Sequence, residues 1–250
     1  MGNFFTTFFY QPIFNLLIFI YDFVSFQDIG VAIIVLTIVI KGLLWPLSKS
    51  SIKSQKALQD LQPKIKELKE KHKGDKVALS QATMDLYKEN KVNPFSSCLP
   101  LLIQFPFLIA VFQVFRDGIN SKLDLVYPWI YRPETVDMIA LGLVDLSRPN
   151  VYLAVLAGAA QFWQAKMMVS KKPEIKTEGS KDENMAAIMS KQMMYFMPVI
   201  TIFIGISLPG GLTLYWFFFT LLTALQQLYT LRKTKNSEAE DKTIEGEVIK

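Results

Sequence analysis

The sequence predicts an all-α polytopic membrane protein: five transmembrane helices, a cytoplasmic helical hairpin between the first two, and an interfacial amphipathic helix at the N-terminus. Three observations carry that class. Hydrophobic residues make up 51% of the 250-residue chain and charged residues 20%, mean hydropathy is positive, and the charges stand in blocks instead of being spread evenly, the composition of a polytopic membrane protein. Five apolar runs are each near the lower end of the length that spans a bilayer. The basic residues fall on alternate loops.

Residues 1–27 contain no Lys or Arg and are rich in Phe. They lack the basic n-region and small-residue cleavage site of a secretory signal. The run FFTTFFYQPIFNLLIFIYDFV is apolar nearly all round but is interrupted by Gln11, Pro12, Asn15 and Asp22, which fits a helix lying in the outer interface. Pro12 and Asp22 count against the alternative, a sixth span over residues 4–24.

The first span, 28–46, is built on VAIIVLTIVIKGLLWP, with Lys41 inside it. A Lys at a helix centre costs roughly 2.5–3.5 kcal/mol on insertion, so it is either a working group or a snorkelling one. It stands about four residues, roughly 6 Å, from the cytoplasmic end of its helix, a distance its own stem nearly covers. The residues alone leave both readings open.

A cytoplasmic segment, 47–96, follows. Leu58, Leu61, Ile65 and Leu68 recur at helical spacing, as do Leu79, Thr83, Leu86 and Tyr87, and Lys73-Gly74-Asp75 breaks the pattern. The expected result is two helices, 50–71 and 77–91, with Glu67–Lys71 as an i,i+4 pair. Later spans are expected at 97–115, 150–168, 193–208 and 212–229, with 116–149 and 209–211 outside and 169–192 inside. A run such as 193–208 reaches only about 24 Å at 1.5 Å per residue against a hydrocarbon core of about 30 Å, so the bilayer is expected to thin locally.

Eleven Lys lie between the first and second spans, six from the end of the third to the fourth, and five bases after the fifth, a total of 22. The opposite side has only Arg116, Lys122, Arg132 and Arg148. This split places the N-terminus outside and the C-terminus in the cytoplasm.

Within the spans, Thr37 and Lys41 are four apart and share a helix face. Gln104, Gln161, Gln164 and Thr213 are further polar groups at membrane depth, which want partners or water. They line a wet centre if their faces converge; otherwise each makes an interhelical hydrogen bond, the reading favoured for Gln161 and Gln164. Seven of the ten methionines fall between Met167 and Met197. Their soft thioethers suit surfaces that accept many apolar shapes, so Met185 and Met189 are candidates for meeting hydrophobic segments before they enter the membrane; gap-filling at helix ends is the alternative.

Several chemistries are excluded. With one cysteine, Cys98, and one histidine, His72, there is no intramolecular disulfide and no ordinary zinc site. Cys98 reads as a small buried residue and His72 as a solvated one in a Lys-rich loop. There is no GxxxxGK[ST] and no HExxH, so neither a motor nor a covalent enzyme is expected, and no cofactor, metal or specific nucleic acid. A small-solute channel or transporter remains the rival, although no internal repeat supports it.

Three stretches, LTIVIKGLLWPLSKSSIKSQKALQDLQPKIKELKEKHKGDK, LYKENKVNPFSSCLPLLIQFPFLIAVFQVF and PGGLTLYWFFFTLLTALQQ, closely resemble the YidC-type membrane protein insertases of the Oxa/Alb family over roughly residues 10–229. The resemblance implies a five-helix core around a hydrophilic groove open to the cytoplasm and to lipid but closed outside, in a bacterial plasma membrane. It puts the family's groove cation, usually Arg, at Lys41, and its substrate-contacting positions at Thr37 and Trp216, the latter often Tyr. A short type is expected, without the large external domain or the extra first helix of many members. The implied partners are nascent membrane proteins and lipid, with Sec translocon components and the ribosome left open. Five bases against five acids in residues 232–250 predict weak autonomous ribosome affinity, and residues 238–250 have a disordered composition. A monomer is expected.

Overall fold

Asp28 begins the first long helix. Its extended backbone and its carboxylate, which accepts the Val31 N–H at 2.8 Å, form the N-cap of α3. The computed structural model describes residues 3–93, 95, 99–168 and 194–248; Met185, Met189, Cys98 and the expected loop 169–192 lie outside these. The helices are α1 (Asn3–Phe5), continued by a π-helical stretch Thr6–Tyr10, α2 (Gln11–Phe23), α3 (Ile29–Leu43), α4 (Trp45–Lys71), α5 (Lys76–Glu89), α6 (Leu99–Asp117), α7 (Val151–Met168), α8 (Met194–Gly205) and α9 (Gly210–Val248). A 3-10 turn, Ile119–Leu125, and a two-stranded antiparallel hairpin, β1 (Ile139–Ala140) and β2 (Val144–Asp145), lie between α6 and α7.

Among the described residues no single helix is long and apolar enough to cross a membrane by itself. Two bent pairs are: α3 with α4 at 66°, and residues 102–117 with the turn 119–125 at 110°. The expected first span thus breaks at Leu44 instead of running to Pro46. The reason is Pro46 in the first turn of α4, which has no N–H to continue the ladder and fits best at a helix start. Helix α8 is likewise shorter than the run 193–208.

Helix α9 packs along α7 and α3, and α2 crosses α3 and α6. Small residues set the closest approaches. A methyl group on Gly158 would lie 2.4 Å from Ile202 Cγ1, one on Gly205 2.9 Å from Ala154 Cβ, and one on Gly211 2.2 Å from the Phe115 ring. Without a hydrophobic force between helices in lipid, such contacts supply much of the attraction.

The segment between α6 and α7 closes one end. Asn15, 2% exposed, donates to the Leu125 carbonyl at 3.0 Å and accepts the Tyr127 N–H at 2.6 Å. The Tyr21 hydroxyl accepts the Asp137 N–H at 3.1 Å, so both halves of α2 are tied to this segment. Asp28, already capping α3, also accepts the Leu141 N–H. Leu141 and Gly142 have φ of +50° and +67°, the type I′ pattern that matches hairpin twist. Gly210 and Gly211 donate to the Arg148 and Leu146 carbonyls at 2.9 and 3.0 Å.

At the other end, Gly74 at φ +95° and Asp75, which accepts the Val77 and Ala78 N–H groups, stop α4 and start α5 at the predicted break. The ion pair on α4 among the described residues is Lys56–Asp60 at 2.7 Å, not Glu67–Lys71. Leu61 and Ile65 are buried. Helix α9 runs on to Val248 where composition suggested a structureless tail; no Gly or Pro interrupts residues 212–245, so nothing in that stretch breaks the ladder.

Candidate functional site in the seam between α3 and α9

Lys41 sits on the last turn of α3, on the face that packs against α9, and only 4% of it is exposed. Its Nζ donates to Thr223 Oγ1 at 2.8 Å and lies 4.7 Å from the centroid of the Phe219 ring. The ammonium therefore turns to a neighbouring helix and not outward along its own, which is not the snorkelling geometry. Among the described residues it forms no ion pair. A buried cation whose partners are one neutral hydroxyl and one ring is left without charge compensation, an arrangement that costs stability unless something else uses the charge.

The other predicted residues do not all gather around it. Thr37 is fully buried on the same helix face, but its hydroxyl donates to the Ile33 carbonyl one turn back, at 2.6 Å. Trp216 is half-buried on α9. Gln104 donates to the Tyr215 hydroxyl at 2.7 Å, joining α6 to α9, and its Oε1 is buried without a hydrogen-bond partner among the described residues. Gln161 accepts from the Thr201 hydroxyl and joins α7 to α8; Gln164 is half-buried one turn further on. Thr213 donates to the Gly205 and Pro209 carbonyls, both at 3.3 Å, and holds the turn before α9. Gln161 and Thr213 are thus interhelical and turn fasteners, of the kind worth about 0.6 kcal/mol each in membrane bundles.

Sequence reasoning missed most of the polar face of α9. Thr220, Gln226, Gln227 and Thr230 are all 6% exposed or less, and Thr223 carries the contact to Lys41. Gln226 Nε2 donates to the Trp45 carbonyl at 3.0 Å, fastening α9 to the break between α3 and α4. Gln226 Oε1 and Gln227 Nε2 are buried without a hydrogen-bond partner among the described residues. A signal was available: Thr213, Thr220 and Gln227 recur every seven residues, as do Trp216, Thr223 and Thr230, which puts each set on one stripe of a helix.

Two cavities lie away from this seam. One of about 290 Å³ is bounded by Met84, Tyr87, Lys88 and Phe95 near the end of α5; the other, about 380 Å³, by Phe115, Asn120, Met138 and Pro209 at the closed end. Among the described residues no three His, Cys, Asp or Glu side chains cluster as a metal site would require.

Comparison with known proteins identifies the family. The family model described as 60Kd inner membrane protein matches residues 19–238. A membrane protein insertase YidC from Fusobacterium nucleatum is 37% identical over 206 residues, 82% of this chain and 87% of the relative. One from Syntrophus aciditrophicus is 39% identical over 221 residues, 88% of this chain but 35% of the relative, and one from Geobacter sulfurreducens is 32% identical over 231 residues, 92% of this chain and 38% of the relative. The chain therefore spans little more than a third of two of these relatives and most of the third. With 220 of its 250 residues inside the family model and insertases of the same name aligned along most of its length, the chain belongs to the 60Kd inner membrane protein family, that of the YidC-type insertases.

Proposed function

We propose that the protein is a membrane protein insertase that moves short hydrophilic tails of nascent membrane proteins along the α3–α9 seam and releases their apolar segments sideways into lipid. The observation that carries this reading is Lys41, a buried cation that forms no ion pair with a carboxylate among the described residues. In the proposed topology the N-terminus is outside, α2 lies in the outer interface, α4 and α5 stand in the cytoplasm as a hairpin, and α3, α6, α7, α8 and the first half of α9 span the bilayer. The segment 119–149 closes the outer end. Met185 and Met189 meet apolar segments before these enter the membrane.

Magnitudes support a passive catalyst. A client carboxylate 4 Å from the Lys41 ammonium gains about 1 kcal/mol in water-like surroundings and about 4 kcal/mol at an effective dielectric of 20. An inside-negative potential adds roughly 2.3 kcal/mol per 100 mV for each negative charge moved outward. Short helices thin the bilayer and shorten the dry path. The apolar segment then leaves water at about 25 cal/mol per Å², which drives the last step without nucleotide. The test is reconstitution: radiolabelled clients with short acidic tails should gain protease protection in proteoliposomes containing the protein. Flux of small solutes without protected client would favour a channel and overturn the proposal.

A further inference from the structure

Thr223 of α9 meets the Lys41 ammonium with its side-chain oxygen, and its own hydrogen-bonding is already arranged. Its hydroxyl donates to the Phe219 carbonyl one turn back, at 2.7 Å, while accepting from Lys41 Nζ at 2.8 Å. A threonine hydroxyl has one proton to give and two lone pairs. With the proton committed to Phe219, what faces Lys41 is acceptor only. Phe219 acts twice, because its carbonyl orients the hydroxyl and its ring underlies the same ammonium. The cation is thus held by a pair of groups on α9 that imitate, weakly, what a carboxylate would offer.

We infer that Thr223 is a positioning residue that latches Lys41 in the client-free state, and that an incoming client carboxylate takes the place of its hydroxyl. This rests on the groove reading of Lys41. The exchange runs toward the client because a hydrogen bond between two ions is roughly twice as strong as one with a neutral acceptor. It discriminates, because a neutral tail offers nothing stronger than the hydroxyl it would displace.

The test reads Lys41 directly. The purified full chain, in detergent, is treated with a small amine-reactive reagent, and modification of Lys41 is followed by peptide mass spectrometry. In the wild type Lys41 should react slowly. Thr223→Val, which keeps the shape and removes the oxygen, should speed its modification several-fold, while Thr223→Ser should restore the wild-type rate. A peptide with a short acidic tail should protect Lys41, at lower concentration in Thr223→Val than in the wild type, and a neutral peptide of equal length should not. An unchanged rate in Thr223→Val overturns the latch. So does an equal rise in Thr220→Val, which removes a neighbouring buried hydroxyl of α9, because the effect would then be general loosening. Faster labelling in Thr223→Val with no protection by the acidic peptide would keep the latch and remove the groove reading of Lys41 instead.

Discussion

Replacing Lys41 with methionine separates what the charge does for folding from what the proposed function has it do for clients. The substitution keeps length and apolar bulk and removes one cation. On the folding side it loses a hydrogen bond from a charged donor, worth about 1.5–3 kcal/mol, and a cation–π contact worth up to about 2 kcal/mol when desolvated. It also removes the desolvation penalty of an ion only 4% exposed, which is several kcal/mol. These terms offset, so the thermal midpoint in detergent should stay level or rise. On the client side the loss is the attraction to a carboxylate, about 4 kcal/mol at an effective dielectric of 20 and about 1 kcal/mol in open water. At 1.36 kcal/mol per decade these correspond to about a thousandfold and about fivefold in rate, and the burial of Lys41 favours the larger figure. The assay is insertion of acidic-tailed and neutral-tailed clients into proteoliposomes, run beside a thermal melt. Lys41→Met should slow only the acidic-tailed client, Lys41→Arg should preserve its insertion, and Lys41→Glu should be worst. Wild-type insertion of acidic-tailed clients by both the Met and Glu variants would refute the reasoning, as would a fall in midpoint large enough to account for the loss.

Three further outcomes follow from packing and hydrogen bonds. Gly158→Val would force methyl groups into Ile202 and should cost about 1–3 kcal/mol by overpacking; a lowered thermal midpoint that Ile202→Ala partly restores would confirm the contact, and independent effects would refute it. Asn15→Ala leaves the Tyr127 N–H without its side-chain acceptor and takes one donor from the Leu125 carbonyl, at about 1–3 kcal/mol for each group left unpaired. Limited trypsin digestion should then cut faster at Lys122, and unchanged cleavage would show that these bonds do not hold the segment. Leu141→Asn replaces a leucine held at φ +50° with a residue that tolerates the left-handed region. Because Leu141 is 70% exposed, little packing is lost, and the midpoint should rise by up to about 1 kcal/mol equivalent; a fall would mean that the side chain is needed where it is.

Much of the architecture could be read along the chain because it depends on neighbours in sequence. The helix break at Lys73-Gly74-Asp75 was predictable from a glycine free to take positive φ and an aspartate able to cap the next helix. The burial of Leu61 and Ile65 followed from helical spacing. Where local rules competed, the reading failed in a consistent way. An apolar run suggested one continuous first span, but Pro46 converted it into α3, a break at Leu44 and a 66° bend. The expected pair Glu67–Lys71 gave way to Lys56–Asp60, because exposed i,i+4 pairs are worth so little that spacing does not select among them.

The sequence by itself determined the solvent of this protein, its helical class, the lysine planted in an apolar run and the residues of the family it belongs to, all properties of composition and of spacing within a few turns. The tertiary structure decided what faces that lysine. Thr223 is 182 residues away in the chain, and no periodicity of α3 can announce which stripe of α9 will lie against it. Only the packing of α3 against α9 turns one helix's buried charge and another's row of hydroxyls and amides into neighbours.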